Sequence, residues 1–188
     1  MIRPSGVFDA AGALFYLNAA NGAFMFTSRY RLSDSESLFQ TASMYPDVFK
    51  PRPAESHKGT YGTLAVIGGA EGMSGAVVLA AMAAAYAGCG KVWAGFNQRQ
   101  LPFAVIDGRP EIMLATAQNL LLRNDADARA VGCGLGLGEA ASGIVAAALS
   151  EADGKPLLLD ADALTLLSRS SELQRLAVRH GNLILTPH

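Results

Sequence analysis

The residues that could do chemistry in this chain are glycines and aspartates, gathered in short segments that follow apolar runs. Gly132 to Gly138 reads G-C-G-L-G-L-G, with glycines at alternate positions. Such a segment offers bare backbone on which a flat or phosphorylated ligand can lie, or it is a flexible turn; its place after a strand-like run favours the ligand. Gly68 to Ala76 (G-G-A-E-G-M-S-G-A) likewise lets backbone approach a ligand, with the free N–H groups of a following helix drawing an anion. It lacks the Gly-Lys-Ser/Thr ending of a phosphate-binding loop, and Gly95-Phe96-Asn97 carries no acid of the kind a dinucleotide fingerprint uses to hold a ribose. The same glycines could simply turn the chain and let a helix pack. Leu159 to Leu164 (L-D-A-D-A-L) supplies two carboxylates. Asp160, ending a run, is the candidate for a ligand or metal-water contact, whereas Asp162 reads as a cap at a helix start. Leu185 to His188 (L-T-P-H) is a proline-stiffened loop that presents an imidazole, although a lone terminal histidine carries little weight by itself. In Ser56 to Gly62 (S-H-K-G-T-Y-G), His57 and Lys58 could meet phosphate or lie on a solvated face.

The elements that must position these segments alternate along the chain. Apolar strand-like runs occur at Thr63–Ile67, Val92–Phe96, Glu111–Thr116, Ala130–Gly132, Pro156–Asp160 and Asn182–Thr186. Helices are expected over Ser74–Ala87, closed by Gly88, over about Ala140–Glu151, and over Ala161–Ser168. A further short helix is expected after Ser33 or Asp34, with Glu36 and Ser37 in its first turn. Pro46, Pro51 and Pro53 then impose an extended connection up to Ser56. Strands that are apolar on both faces and alternate with helices predict an α/β fold: a three-layer, mostly parallel sheet with helices on both faces. Ligands bind such sheets at the carboxyl ends of the strands, where the glycine segments and Asp160 fall.

Composition agrees. The chain has 188 residues, 51% apolar and 16% charged, which suits a buried sheet under closely packed helices. A net charge of -1 with no basic stripe gives nucleic acid no footprint. Cys89 and Cys133, each between glycines, read as small core residues of a reducing compartment, so a cytoplasmic protein is expected. Val7 to Phe26 is apolar but holds Asp9, Asn18 and Asn21, which weakens a membrane span of about 20 apolar residues. Arg3 and the A-A-N-G-A stretch make only a faint secretory signal. Residues 1–28 are therefore set aside as an unassigned N-terminal extension, and no membrane partner is expected.

Taken together, S-H-K-G-T-Y-G, V-I-G-G-A-E-G-M-S-G-A, P-E-I-M, G-C-G-L-G, L-D-A-D-A-L and L-T-P-H occur in the order and rough spacing of the NAD(P)H-hydrate dehydratases. The resemblance runs from about Tyr45 to His188, and no counterpart is evident before about Arg29. It implies a ribokinase-like fold over residues 29–188, forming the N-terminal portion of such a domain. It also implies ADP-dependent repair of hydrated NADH and NADPH, a carbon–oxygen lyase reaction giving NAD(P)H, AMP and phosphate. The implied cofactors are Mg²⁺ and ADP (or ATP) as phosphoryl donor, and the implied partners are those small molecules. Residue by residue, Ala76, Gly134 and His188 match positions that contact the hydrated nucleotide, with Gly136 a neighbour. No residue of the chain is assigned as a direct metal ligand.

Three departures qualify the resemblance. The family continues past T-P-H with Pro-Gly-Glu, whereas this chain ends at His188. A later Lys-rich nucleotide loop, and a Gly-rich segment ending in the Asp that deprotonates the hydroxyl, are absent. Thr165 stands where an Asn is common. The catalytic Asp is thus expected beyond His188, and these 188 residues alone are expected to be inactive. A sheet ending at Leu185-Thr186-Pro187 is expected to expose an apolar edge and to self-associate, so a homo-oligomer is anticipated. Two other readings use the same loops: a ribokinase-like vitamin-type kinase that keeps its phosphorylated product, and a nucleotide-binding module without chemistry.

Overall fold

A computed structural model describes residues 6–8, 14–17, 24–27, 43–44, 52–151 and 154–187. The chain divides into two compact units, Met1–His57 with Tyr86–Gly88 and Lys58–Ala85 with Cys89–His188. In the first, β1 (Gly6–Phe8), β2 (Leu14–Leu17) and β3 (Phe24–Thr27) form an antiparallel sheet in which Val7 faces Phe15 and Phe15 faces Phe26. The apolar N-terminal run thus contributes strands. No helix among the described residues is long and apolar enough to cross a membrane. The short helix expected after Ser33 lies outside the described residues.

The second unit holds a sheet of six strands, all paired in parallel. They are β4 (Thr63–Gly68), β5 (Lys91–Phe96), β6 (Met113–Thr116), β7 (Ala128–Val131), β8 (Leu157–Leu159) and β9 (Leu183–Leu185), in the order β6-β5-β4-β7-β8-β9. After β4 the chain builds outward on one side through β5 and β6, then returns to add β7, β8 and β9 on the other. The crevice where this order reverses opens between the carboxyl ends of β4 and β7, the place where such sheets bind ligands. Both glycine segments begin there.

Side chains alternate along β4 and divide the core into two. Ala65 and Ile67 join Leu120, Val131, Leu135, Val145, Leu157 and Leu159 on one face. Val66 joins Val77, Ala81, Val92, Ala94 and Phe96 on the other. Burying an aliphatic side chain of this size contributes about 1.5–3 kcal/mol. The second face is covered by α1 (Ser74–Tyr86), through Val77 and Ala81. The first carries α2 (Ala117–Leu121), α3 (Glu139–Leu149), α4 (Asp162–Arg169) and α5 (Ser171–His180). In α3 the buried residues Ala141, Ile144, Val145, Ala148 and Leu149 follow the spacing of a single helical stripe.

Four elements depart from expectation. β6 begins at Met113 and β7 already at Ala128. The helices α2 and α5 were not anticipated. α5 carries its own punctuation: the Ser170 hydroxyl accepts from the Leu173 N–H at 3.3 Å, and Gly181 ends it in the left-handed region at φ 78°. The S-H-K-G-T-Y-G stretch supplies a 3-10 turn (Lys58–Tyr61) that enters β4 at its amino end, so Lys58 stands at the opposite end of the sheet from the crevice.

Candidate functional site

The glycine segment after β7 lies against the turn after β4 and is held there by backbone. The Gly69 N–H donates to the Cys133 carbonyl at 2.9 Å, and the Ala70 N–H donates to the Gly134 carbonyl at 2.7 Å. Gly134 sits at φ 60°, and a Cβ added to it would lie 3.2 Å from the Ala76 Cβ and 2.8 Å from the Met73 Cβ. Ala76, in the first turn of α1, and Gly134 therefore approach closely, as adjoining patches of one shelf of small residues flanked by the exposed side chains of Met73 and Leu137. Gly136 continues it, with the Ala70 Cβ 3.5 Å from where its own Cβ would stand.

The loop after β5 locks this arrangement. The Asn97 Nδ2 donates to the Leu135 carbonyl at 2.9 Å, so that loop grips the glycine segment. The Gln98 Nε2 donates to both the Gly69 carbonyl and the Ser74 Oγ, each at 2.8 Å, and so grips the turn and the start of α1. Sequence reasoning passed over Asn97 and Gln98 because it looked for a carboxylate at that strand end. The signal that could have found them is two consecutive side-chain amides directly after a buried strand.

The two aspartates divide their work differently from expectation. The Asp162 Oδ2 accepts from the Gly136 N–H at 2.8 Å, and α4 receives no side-chain cap hydrogen bond. Asp162 thus serves as a structural anchor, but for the glycine segment rather than for its own helix. The Asp160 Oδ1 accepts from the Ala161 N–H at 2.8 Å. Between them Ala161 adopts φ 48°, ψ -117°, a conformation that stores on the order of 1–3 kcal/mol in a non-glycine residue. Among the described residues no group of three or more His, Cys, Asp or Glu stands close enough to hold a metal ion. Asp160 and Asp162 would leave most positions of a Mg²⁺ ion to water and phosphate oxygens. His188 lies outside the described residues; Thr186, before it, donates its N–H to the Leu159 carbonyl at 3.3 Å, which brings the L-T-P-H strand end beside that of L-D-A-D-A-L.

Burial pushes the Cys133 thiol above its ordinary value, and the negative charges of Asp160 and Asp162 push the same way. A raised thiol pKa lowers the thiolate fraction at neutral pH, and the thiolate is the nucleophile. Iodoacetamide at pH 7.5 is therefore expected to alkylate Cys133 several-fold more slowly than a free thiol such as glutathione, and to reach the free-thiol rate once the chain is unfolded. Equal rates in the folded protein, measured by peptide mass spectrometry, would refute this account of the shelf.

A profile described as NAD(P)H-hydrate dehydratase matches residues 64–188. A Neisseria meningitidis protein named ADP-dependent (S)-NAD(P)H-hydrate dehydratase is 62% identical over 151 residues, covering 80% of this chain and 51% of that protein. A Streptococcus pneumoniae protein of the same name is 38% identical over 144 residues, covering 73% of this chain and 47% of its own length. The chain spans about half the length of these curated relatives. The crystal structure of ADP/ATP-dependent NAD(P)H-hydrate dehydratase from Bacillus subtilis, co-crystallized with ATP/Mg2+, superposes with a TM-score of 0.52 at 34% identity, covering 60% of this chain and 42% of that one. With its glycine shelf at the switch point of a six-stranded parallel sheet, and with a profile match from the first core strand onward, the chain belongs to the NAD(P)H-hydrate dehydratase family.

Proposed function

We propose that the protein containing this chain restores hydrated NADH and NADPH, using ADP as phosphoryl donor. The terminal phosphoryl group of ADP passes to the hydroxyl that water left on the nicotinamide ring, giving AMP. Phosphate then departs with that oxygen, a ring proton is lost and the double bond returns. The logic is that of phosphoryl transfer in general: hydroxide leaves poorly and phosphate leaves well.

The observation that carries the reading is the close approach of Ala76 and Gly134 at the mouth of the sheet's switch point. The names of the Neisseria meningitidis and Streptococcus pneumoniae relatives support the substrate and the choice of ADP. Ala76, Gly134, Gly136 and His188 would bind the hydrated nicotinamide nucleotide, and Asp160 would contact a ligand or an ion-bound water. Mg²⁺ would arrive with the nucleotide's phosphates, since the carboxylates at this rim do not form an ion cage by themselves. None of the residues named here is proposed as the base that takes the hydroxyl proton. A coenzyme-repair reaction of this kind belongs where the NAD(P)H and ADP pools are, in the cytoplasm.

The test is direct. Full-length protein mixed with hydrated NADH, ADP and Mg²⁺ is expected to regenerate the near-ultraviolet absorbance of NADH and to release one phosphate per NADH. No recovery with either ADP or ATP removes the reading, and a stable phosphorylated product in place of NADH would mark a kinase instead.

Self-association is proposed as well. Ile184 and Leu185 on β9, an edge strand, are 51% and 46% exposed. Apolar side chains on an open edge invite pairing. The 188-residue chain is expected to scatter light as a dimer or larger, and a monodisperse monomer would count against it.

A further inference from the structure

Beside the shelf, the same rim holds a second recess. A cleft of about 430 Å³ opens between the turn after β4, the loop after β5 and the start of α2. Glu71 lines it from the first, Arg99 from the second and Gln118 from the third. Its volume falls within the roughly 300–1,000 Å³ typical of small-ligand sites. Glu71 and Arg99 are both exposed, and among the described residues neither side chain has a hydrogen bond or an ion pair, with each other or with anything else. Elsewhere charged side chains on this chain do find partners: Arg109 pairs with Glu111, and Arg123 with Asp125.

Two opposite charges that face one recess without neutralising each other match a ligand that offers both hydroxyl donors and an anion. A ribosyl phosphate has that character. Its vicinal hydroxyls donate to a carboxylate, and its phosphate oxygens accept a charge-assisted fork of hydrogen bonds from a guanidinium. The cleft is also fixed relative to the shelf. Asn97 and Gln98, the two residues before Arg99, are the ones whose amides grip the glycine segment at 2.9 Å and the turn after β4 at 2.8 Å. The backbone that carries Arg99 is thus tied to the surface on which the nicotinamide would lie.

We propose that this cleft binds a ribosyl phosphate of the hydrated dinucleotide, with Arg99 on the phosphate and Glu71 on the ribose hydroxyls, so that Arg99 and Glu71 set affinity for the coenzyme and not for ADP. The proposal rests on the dehydratase reading above. Its test uses full-length protein and steady-state kinetics with hydrated NADH and hydrated NADPH. Arg99→Gln is expected to raise KM for the dinucleotide about tenfold, Arg99→Lys to recover part of that, and Glu71→Gln to raise it about threefold, all with KM for ADP unchanged. Arg175→Gln, on the outer face of α5, serves as the control and is expected to change neither. A rise confined to hydrated NADPH assigns Arg99 to the ribose 2′-phosphate, and an equal rise for both assigns it to the bridging phosphates. Calorimetric titration of NADPH into wild type and Arg99→Gln gives a readout that needs no turnover. It separates failure of this inference, in which both proteins bind equally, from failure of the dehydratase reading, in which wild type binds but regenerates nothing. A dinucleotide KM within twofold of wild type in Arg99→Gln, or a rise confined to ADP, overturns the proposal.

Discussion

Gly132→Ala is expected to destabilise the chain by about 4 kcal/mol or more, and to lower its Tm by roughly 8–16 °C. Two effects add. Gly132 sits at φ 133°, outside the regions an alanine occupies, which alone accounts for on the order of 1–3 kcal/mol. Its new Cβ would also stand 1.9 Å from the Asp160 carbonyl oxygen and 2.9 Å from the Ala163 Cβ, and neither can rotate aside, because the first is backbone and the second is a methyl fixed directly to the backbone of α4. Relief requires the ends of β7 and β8 to part. That movement strains the bonds from the Asp160 N–H to the Val131 carbonyl (3.1 Å) and from the Gly132 N–H to the Ile67 carbonyl (2.9 Å), each worth about 1–3 kcal/mol when left unmade in a buried place. Gly143→Ala is the contrasting substitution. Gly143 is an exposed interior residue of α3 with nothing within 4 Å of its added Cβ, so alanine there is expected to stabilise by about 0.5–1 kcal/mol. Thermal unfolding followed by far-ultraviolet circular dichroism reads both. Equal Tm values for the two variants would contradict the close approach between the strand ends.

The contrast between these two glycines marks how far the sequence could be read. A strand buried on both faces is a continuous apolar run, so Thr63–Ile67 and Pro156–Asp160 announced themselves, and the helix over about Ala140–Glu151 did so as well. Such features are local. α2 has only five residues, too few for a helical period to show, and α5 is a polar helix whose core contacts come from Leu173, Leu176 and Ala177. Its caps at Ser170 and Gly181 were legible, but its low apolar content drew no attention to them. The N-terminal apolar run resembled a faint leader because three short strands separated by small residues have no helical or transmembrane period to exclude. At the site, each glycine segment by itself read equally well as a turn. Only their mutual packing, Gly134 on Ala76 and Asp162 on Gly136, distinguishes a shelf from a hinge. Those contacts join residues that are 58 and 26 positions apart, so no local pattern encodes them. What singled out Ala76 and Gly134 as candidates was the order of several weak motifs along the whole chain, and that order carried nothing about Asn97, Gln98 or Arg99.

The same packing yields the largest functional effect. In the full-length protein Gly134→Val is expected to reduce kcat/KM for hydrated NADH by about 100-fold while leaving the sheet folded. At φ 60° a β-branched residue is disfavoured by on the order of 1–2 kcal/mol. The steric problem is directional. The first carbon of the new side chain would come within 2.8 Å of the Met73 Cβ, 3.1 Å of the Met73 carbonyl oxygen and 3.2 Å of the Ala76 Cβ, so the segment must lift away from the start of α1. Lifting it stretches the 2.7 Å bond from the Ala70 N–H to the Gly134 carbonyl and pulls on the Asn97 amide that holds Leu135. The two valine methyls then occupy the surface on which the nicotinamide would rest. A displacement of about 1 Å in a group that positions a reacting substrate is enough for a loss of two orders of magnitude. The loss should appear in the dinucleotide step, with KM for ADP held and Tm lowered by only a few degrees. A Gly134→Val enzyme that keeps kcat/KM within threefold of wild type, while calorimetry shows NADPH still bound, would mean that the coenzyme lies elsewhere and that the contact between Ala76 and Gly134 is packing alone.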